Sequence, residues 1–211
     1  MILLTDLQCF TSITSYVGLV KYNKLKIEQY EHFRKGSYSN RYYIAGPNGR
    51  ILLSIPLLHS GRERTAFKDL KICNLDRWQL LHWRTLTSAY RRSPWFEFYE
   101  DDLHVMYDRK FEYLMDWNLA AFELVNGWLG WSWEITYTEE YQKVYTDPKI
   151  MDARHLVWPQ KDTAALSEDT FRYHQVFEDR TGFLPGLSIL DLVFCEGKRA
   201  VSLLSENSKG S

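Results

Sequence analysis

Two cations and an amide lie within one short stretch near residue 40 of this 211-residue chain. They are Lys35, Asn40 and Arg41, and they precede a predicted hairpin. A guanidinium can bind a phosphate or carboxylate through two parallel hydrogen bonds, and an ammonium or amide adds further donors. The group therefore predicts a clamp for an anionic ligand. A solvated basic turn is the alternative interpretation, because such turns are common on protein surfaces.

A second group lies on one predicted helix. His82 and Tyr90 are eight residues apart, so they share roughly one helix face. Imidazole titrates near neutral pH, which suits a general base, and we predict His82 as the catalytic residue. Arg77, Arg84 and Arg91 recur every seven residues and form a stripe; Arg84 and Tyr90 are predicted substrate ligands. The alternatives are a hydrogen-bonded core histidine and a solvent-facing arginine stripe.

A third group opens a helix near the end of the chain. Gly182, Pro185 and Gly186 indicate a loop, and Ser188 with Asp191 three places later has the spacing of a capping box. Free N–H groups and the positive end of the helix dipole suit an anion, so both residues are predicted substrate ligands. Capping without any ligand is the alternative, and it is the commoner use of this pattern.

Several kinds of site are disfavoured by the same sequence. Cys9, Cys73 and Cys195 lack CxxC spacing, and the histidines lack HExxH spacing, so neither a metal site nor a disulfide is predicted. No glycine-rich phosphate loop occurs, and no cofactor is predicted. A net charge of −1 disfavours nucleic acid and anionic membranes as partners. Without a signal-peptide pattern or a long apolar run, we expect a cytoplasmic protein. The cationic groups described above predict that it acts on a small anionic molecule or a nucleotide-linked sugar.

The elements that must position these groups alternate between strand and helix patterns, which predicts an α/β fold with a mixed sheet and flanking helices. Asn48-Gly49 between two apolar runs predicts a hairpin. The other predicted strands are 1–10, 24–33, 67–73, 131–137 and 172–178, and the predicted helices are 12–20, 76–92, 95–107, 109–129, 188–196 and 198–204. We expect one domain over 1–204, with a layering like that of nucleotide-binding folds possible, and a disordered tail over 205–211.

The run before the last helices resembles a family signature. Residues 182–197 read Gly-Phe-Leu-Pro-Gly-Leu-Ser-Ile-Leu-Asp-Leu-Val-Phe-Cys-Glu-Gly, which is similar to the C-terminal signature of the WbqC-like protein family, where Asn commonly replaces Cys195. The likeness covers about 30–129 and 171–204. The matching residues in the first block are Phe33, Lys35, Asn40, Arg41, Asn48-Gly49, Leu53-Ser54-Ile55-Pro56, Trp78, His82-Trp83, Ala89-Tyr90 and Pro94.

This resemblance implies a bacterial family, mostly uncharacterised, with some members in O-antigen gene clusters and a suggested glycine-transferase role. The chain departs from the family pattern in three places. A Gln-Pro opening is replaced by Gln8-Cys9, an Asp-Asp pair near the end of the second strand by Gln29-Tyr30-Glu31, and a late glycine-rich turn by a glycine-free stretch over 150–170.

Two functions of different class follow. The first is a divergent WbqC-like transferase of aminoacyl, acyl or glycosyl groups that acts on a nucleotide-linked sugar in surface-polysaccharide synthesis. The second is a non-catalytic binding or scaffold protein that keeps the fold and has lost the substrate loops. The first requires Arg41, His82 and Ser188 to share one electropositive hollow, since their segments are far apart in sequence.

Overall fold

The structure is a computed structural model that describes residues 1–58, 65–157, 159 and 171–208, and it contains a four-stranded parallel sheet. Its strands are β1 (Ile2–Thr5), β2 (Lys24–Ile27), β5 (Glu134–Tyr137) and β6 (Ile150–Asp152), in the order β5-β2-β1-β6. The central strands are rich in buried aliphatic side chains, as expected for a parallel sheet covered on both faces. The strands are short, and β1 and β2 end well before the residues at which the predicted strands end.

The predicted hairpin is confirmed. Strand β3 (Arg41–Gly46) pairs antiparallel with β4 (Gly49–Ser54), with Arg41 opposite Ser54 and Gly46 opposite Gly49. Pro47 and Asn48 form the turn, and Gly49 has a φ of 115°, which favours glycine. Parallel and antiparallel pairing therefore both occur, in two separate sheets, and the predicted α/β class is confirmed as a single-domain arrangement.

Seven α-helices lie in the described part of the chain. They are α1 (Ile13–Leu19), α2 (Trp78–Tyr90), α3 (Phe96–Asp108), α4 (Leu114–Leu129), α5 (Glu178–Thr181), α6 (Ile189–Glu196) and α7 (Arg199–Ser208). Helix α2 buries Trp78, His82, Leu86 and Tyr90, a stripe with the spacing of one helix face. The aromatic core centres on Trp117 of α4, whose side chain is fully buried among other rings.

Two predicted strands are absent. Where 67–73 was expected to be extended, the chain makes a 3₁₀ turn at Phe67–Asp69, followed by isolated bridges. Where 172–178 was expected to pair, Gln175 instead uses its side-chain amide to bond the backbone N–H and carbonyl of Leu184. That contact closes a loop over 175–184, which contains α5. Conversely, β6 was not predicted, because its three residues carry too little periodicity to stand out in a polar stretch.

Helix boundaries also differ from expectation. Helix α4 begins at Leu114 and not at 109, because the preceding residues bridge to Lys71 and Ile72. Helix α7 continues to Ser208, so residues 205–208 are helical where a disordered tail was predicted. Ser205 and Asn207 satisfy their side chains on carbonyls one turn back, which supports this extension. Residues 209–211 lie outside the described residues. No helix in the described part is both long and apolar enough to cross a bilayer.

Candidate functional site

The predicted catalytic residue, His82, lies in the interior and is only 2% exposed. Its Nε2 lies 3.2 Å from the Ser54 carbonyl oxygen, which can only accept, so Nε2 carries the hydrogen. Nδ1 then accepts from the Tyr42 hydroxyl at 3.3 Å, and that hydroxyl also contacts the Tyr107 hydroxyl at 2.7 Å. Burial lowers the pKa of His82 to about 4. His82 is therefore neutral at pH 7, with both ring nitrogens bonded inside the fold.

Tyr90 and Asp191 lie in a second buried network. The hydroxyls of Tyr90 and Tyr173 each donate to the Asp191 carboxylate at 2.5 Å, and the backbone N–H of Ala45 donates to the Tyr90 oxygen at 3.0 Å. Burial raises the pKa of Asp191 to about 6. Ser188 caps α6 as predicted, by accepting from the N–H of Leu190. The expected capping-box role of Asp191 is wrong, because the two tyrosine hydroxyls occupy its oxygens.

The remaining predicted ligands divide between the interior and the surface. Asn40 is buried and donates through Nδ2 to the Ile55 carbonyl at 2.9 Å, and Arg41 is half-buried at the start of β3. Lys35 and Arg84 are exposed. Arg84 follows His82 by two residues, so it points about 200° away from it around α2.

The hairpin β3–β4 contacts three of the predicted site residues that are buried, His82, Tyr90 and Ser188. Ser54 contacts His82 and pairs with Arg41, Ala45 contacts Tyr90, and the carbonyl of Tyr43 accepts from the N–H of Ser188. The fold thus brings these segments together in the packed interior, where they are hydrogen-bonded to the hairpin. Their assignment as substrate ligands stays a prediction.

A different set of polar residues collects at the carboxyl edge of the parallel sheet. Asp6 follows β1, Glu28 follows β2, and Asp152 ends β6. Helix α1 connects β1 to β2 on one side, whereas β6 pairs with β1 on the other, so the order reverses between β1 and β6. In open parallel sheets, ligands bind in the crevice at such a reversal, outside the carboxyl ends of the strands.

A buried ion cluster holds this edge together. Arg154 donates to Glu28 at 3.1 Å and to Asp152 at 2.7 Å, with the side chains of Arg154 and Glu28 only 5% and 0% exposed. Its hydrogen bonds lower the pKa of Asp152. The rings of Tyr141 and Tyr145 lie against the guanidinium, with centroids at 5.7 and 5.1 Å. The cluster ties the segment after β6 to the end of β2 and so fixes the position of the next residue, His155.

His155 lies between two carboxylates. Its Nδ1 is 3.3 Å from Asp6 Oδ2, its Nε2 is 2.8 Å from Glu31 Oε2, and its backbone N–H donates to Asp6. Its φ is 60°, a left-handed conformation that is unusual for a non-glycine residue and that clusters at functional sites. The hydrogen bond with Asp6, assisted by the nearby charge of Glu31, raises the pKa of His155. The side chain is 29% exposed, so solvent and ligands can reach it.

Two cavities flank this histidine. One, of about 200 Å³, lies between α1 and the ends of β1 and β6, with Leu3 and Met151 on its apolar side and Asp6, Thr14 and His155 among its polar residues. Thr14 Oγ1 is buried and has no hydrogen-bond partner in the described part of the chain. The other, of about 30 Å³, lies between Asp6, Glu31 and His155 on the opposite side and has room for about one water molecule.

The same three residues could share a proton or a cation. One ligand atom from each of Asp6, Glu31 and His155 lies within 4.8 Å of the others. Two carboxylates and an imidazole make a donor set that divalent metals accept. The spacing rules that led us to predict no metal site could not detect this group, because its members come from three separate segments.

Sequence reasoning missed every member of the sheet-edge group. A signal was present, since Asp6 and Glu28 each come directly after an apolar strand, and carboxyl ends of parallel strands meet at one edge. That signal required the strand ends to be placed correctly, and the predicted strands ran past both residues. His155 carried no signal, because β6 was not recognised.

Comparison with known proteins assigns the chain to a family. A family model described as the WbqC-like protein family matches residues 20–203, which is most of the chain. No curated protein and no solved structure matches it significantly. The match includes Glu31 and His155 of the sheet-edge group, the hairpin and α6, and it agrees with the resemblance of the run over 182–197. The chain therefore belongs to the WbqC-like protein family.

Proposed function

We propose that this WbqC-like protein is a cytoplasmic transferase that joins an acyl, aminoacyl or glycosyl group to a nucleotide-linked sugar for surface polysaccharide such as O-antigen. The observation that carries the proposal is His155, held in a left-handed conformation between Asp6 and Glu31 beside a cavity at the sheet reversal. A histidine oriented by Asp6 on one ring nitrogen, with Glu31 on the other nitrogen displaced by an incoming acceptor, has the arrangement of a general base.

The proposed step moves one proton and exchanges one bond. Asp6 holds the Nδ1–H of His155, which leaves Nε2 as the basic atom. The acceptor amine or hydroxyl enters the small cavity beside Glu31 and takes the place of Glu31 at Nε2, which lies 2.8 Å from that carboxylate in the free chain, while the transferred group lies in the larger cavity. Nε2 takes the acceptor's proton as its nitrogen or oxygen forms a bond to the transferred carbon, and the bond from that carbon to its carrier breaks. The pKa of His155, raised above its ordinary value, makes it a stronger base near neutral pH.

The size and lining of the cavity favour a small reacting group. At about 200 Å³ it is below the ~300–1,000 Å³ range of pockets for drug-sized ligands, so it suits an acyl, aminoacyl or single sugar unit, with the nucleotide outside. The unpartnered Thr14 hydroxyl supplies a polar contact within it. Among the predicted anion ligands, Lys35 and Arg84 are exposed, and neither lines this cavity.

The test is transfer activity in a matched pair of histidine variants. The chain is incubated with nucleotide-linked sugars and acyl, aminoacyl or sugar donors, and products are detected by mass spectrometry. We expect His155→Asn to lower the rate by about a hundredfold or more, the usual contribution of general base catalysis. His174→Asn is the control, because the side chain of His174 is 77% exposed, whereas that of His155 is 29% exposed. Equal rates in both variants would contradict the proposal.

The rival function, a non-catalytic binding protein, has one observation in its favour. His82, Tyr90 and Asp191 match the family pattern, yet all three are committed to interior hydrogen bonds. If the rival holds, sugar nucleotides raise the melting temperature of the chain, but no product forms with any donor and His155→Asn changes neither result.

A further inference from the structure

A stretch of strong positive charge lies outside the sheet-edge site. Residues 77–96 contain four arginines and no acidic residue, in a chain whose net charge is −1. The stretch spans α2 and the turn after it, so its charge is concentrated on one element and not spread along the chain. A local excess of guanidinium groups attracts anions even when the whole molecule is nearly neutral.

Three of these arginines line one groove. The groove has a volume of about 600 Å³ and lies between the C-terminal half of α2, with the turn that follows it, and the segment at Val176 and Phe177. Arg84, Arg91 and Arg92 line it, and all three are exposed. Arg91 is 3.9 Å from Glu100, a long ion pair. Within the described residues, Arg84 and Arg92 have no carboxylate within ion-pair distance, so their charge is available to a ligand.

A hydroxyl in the same groove has no partner. Thr87 Oγ1 is buried and makes no hydrogen bond in the described part of the chain. A helical threonine ordinarily bonds a carbonyl one turn back, as Thr85 does at 2.7 Å from the Leu81 oxygen. A buried hydroxyl left unbonded costs free energy, and that cost is removed when a ligand accepts its proton. Thr87 therefore contributes an unsatisfied hydroxyl to the wall of the groove, and an acceptor oxygen of a ligand would satisfy it.

Aromatic and apolar side chains form the remainder of the lining. Trp83 and Phe177 are half-buried and both line the groove, together with Ala89 and Val176. Nucleobases stack on aromatic faces, and phosphates pair with guanidinium groups. The volume lies within the ~300–1,000 Å³ range of small-molecule sites. The groove thus offers positive charge, a hydroxyl donor and aromatic surface to one ligand.

We propose that this groove binds a nucleoside diphosphate, with the diphosphate on Arg84, Arg92 and Thr87 and the base against Trp83 or Phe177. The choice of a nucleotide rests on the proposed function, which uses a nucleotide-linked sugar, whereas the groove residues are separate from His155 and its carboxylates. In this groove Arg84, a predicted anion ligand, lies with Thr87 and Arg92, the other proposed ligands of the diphosphate.

Uridine diphosphate is the probe, and binding is measured by isothermal titration at fixed ionic strength. We expect Arg84→Gln with Arg92→Gln to weaken binding by about tenfold or more, because two charge-assisted contacts are lost. Thr87→Val should weaken it while leaving the melting temperature of the free chain unchanged, since the hydroxyl has no partner to lose. Arg77→Gln is the matched control. Arg77 is an exposed arginine of the same stripe, but it lines a different groove beside Asp76 and Asp108.

Each outcome decides a separate point. No binding of uridine diphosphate, or binding unaffected by the double variant, overturns the groove assignment. Inorganic diphosphate that binds as tightly as the nucleotide overturns the assignment of a base to the aromatic surface. His155→Asn should keep full nucleotide affinity, so loss of transfer with intact binding separates this inference from the proposed function. Binding in a chain that shows no transfer supports the groove and contradicts only the transferase.

Discussion

Two regions of the molecule each surround a histidine with oxygen groups. In the hairpin network, His82 contacts the hydroxyl of Tyr42, and in the sheet-edge site, His155 contacts the carboxylates of Asp6 and Glu31. The two regions move the pKa of their histidine in opposite directions. Around the hairpin, His82 is buried and has no carboxylate partner among the described residues, so its pKa falls to about 4. At the sheet edge, His155 lies between Asp6 and Glu31 and is partly open, so its pKa rises. The residues on which the sequence resemblance was drawn include those of the first region, whereas the groups of the second region are charged and partly accessible to solvent. Burial thus closes His82 to solvent, whereas His155 is open to it.

The largest difference between the regions should appear on removal of a carboxylate. Asp191→Ala leaves two buried tyrosine hydroxyls without an acceptor, and we expect it to lower the free energy of unfolding by about 4 kcal/mol. Asp6→Ala, at a side chain 28% exposed, should cost less than about 1 kcal/mol. Urea unfolding at pH 7 measures both. Equal losses would show that the two carboxylates serve the fold alike.

A slightly smaller effect should appear in the pH dependence of stability. The folded pKa of His82, about 4, lies below its ordinary value of 6.5, so His82 stabilises the fold above pH 6.5 and this contribution is lost as pH falls toward 4. The folded pKa of Asp191, about 6, lies above its ordinary 3.8, so its contribution is present below pH 3.8 and is lost as pH rises through 6. Between about pH 6 and pH 4, a fall in pH therefore removes the stabilising contribution of His82 and restores that of Asp191.

Asp191→Asn removes the contribution of Asp191, so the pH dependence of the variant's stability reports the contribution of His82. Each pKa unit corresponds to about 1.4 kcal/mol, so this variant should lose about 3 kcal/mol more than the native chain between pH 6.5 and pH 4. Unfolding by urea at several pH values within that interval measures the difference. Parallel curves for the variant and the native chain would contradict the assigned shifts.

The smallest effect concerns the sheet edge. Glu31→Gln removes one of the two charges that raise the pKa of His155, so that pKa should move down toward its ordinary value, with a stability change below about 1 kcal/mol. NMR titration of the His155 ring protons measures the shift. If transfer activity requires neutral His155, the acidic limb of the pH–rate profile should move to lower pH by the same amount. A displaced titration with an unmoved profile would remove His155 from the base role.

The elements that were predicted correctly carry strong local signals. The hairpin follows from Asn48-Gly49 between apolar runs, α2 from its apolar stripe, and α6 from Ser188 as the N-cap. Strand β6 and the path of 172–178 lack such signals. The first has three residues, and the second is set by the Gln175 side chain, which competes with strand pairing for the backbone of Leu184. Local propensity cannot report a contact that only the folded chain makes.

By itself, the sequence determined the α/β class, the hairpin, the main helices and the family, because each depends on neighbours within a few residues or on an ordered run of residue types. Only the tertiary structure decided which polar groups can do chemistry. It enclosed His82, Tyr90 and Asp191 among apolar and phenolic side chains, and it brought Asp6, Glu31 and His155 from three distant segments to one open edge. Accessibility and charge at a site depend on packing between segments far apart in the chain, and the spacing of residues along it carries no record of that packing.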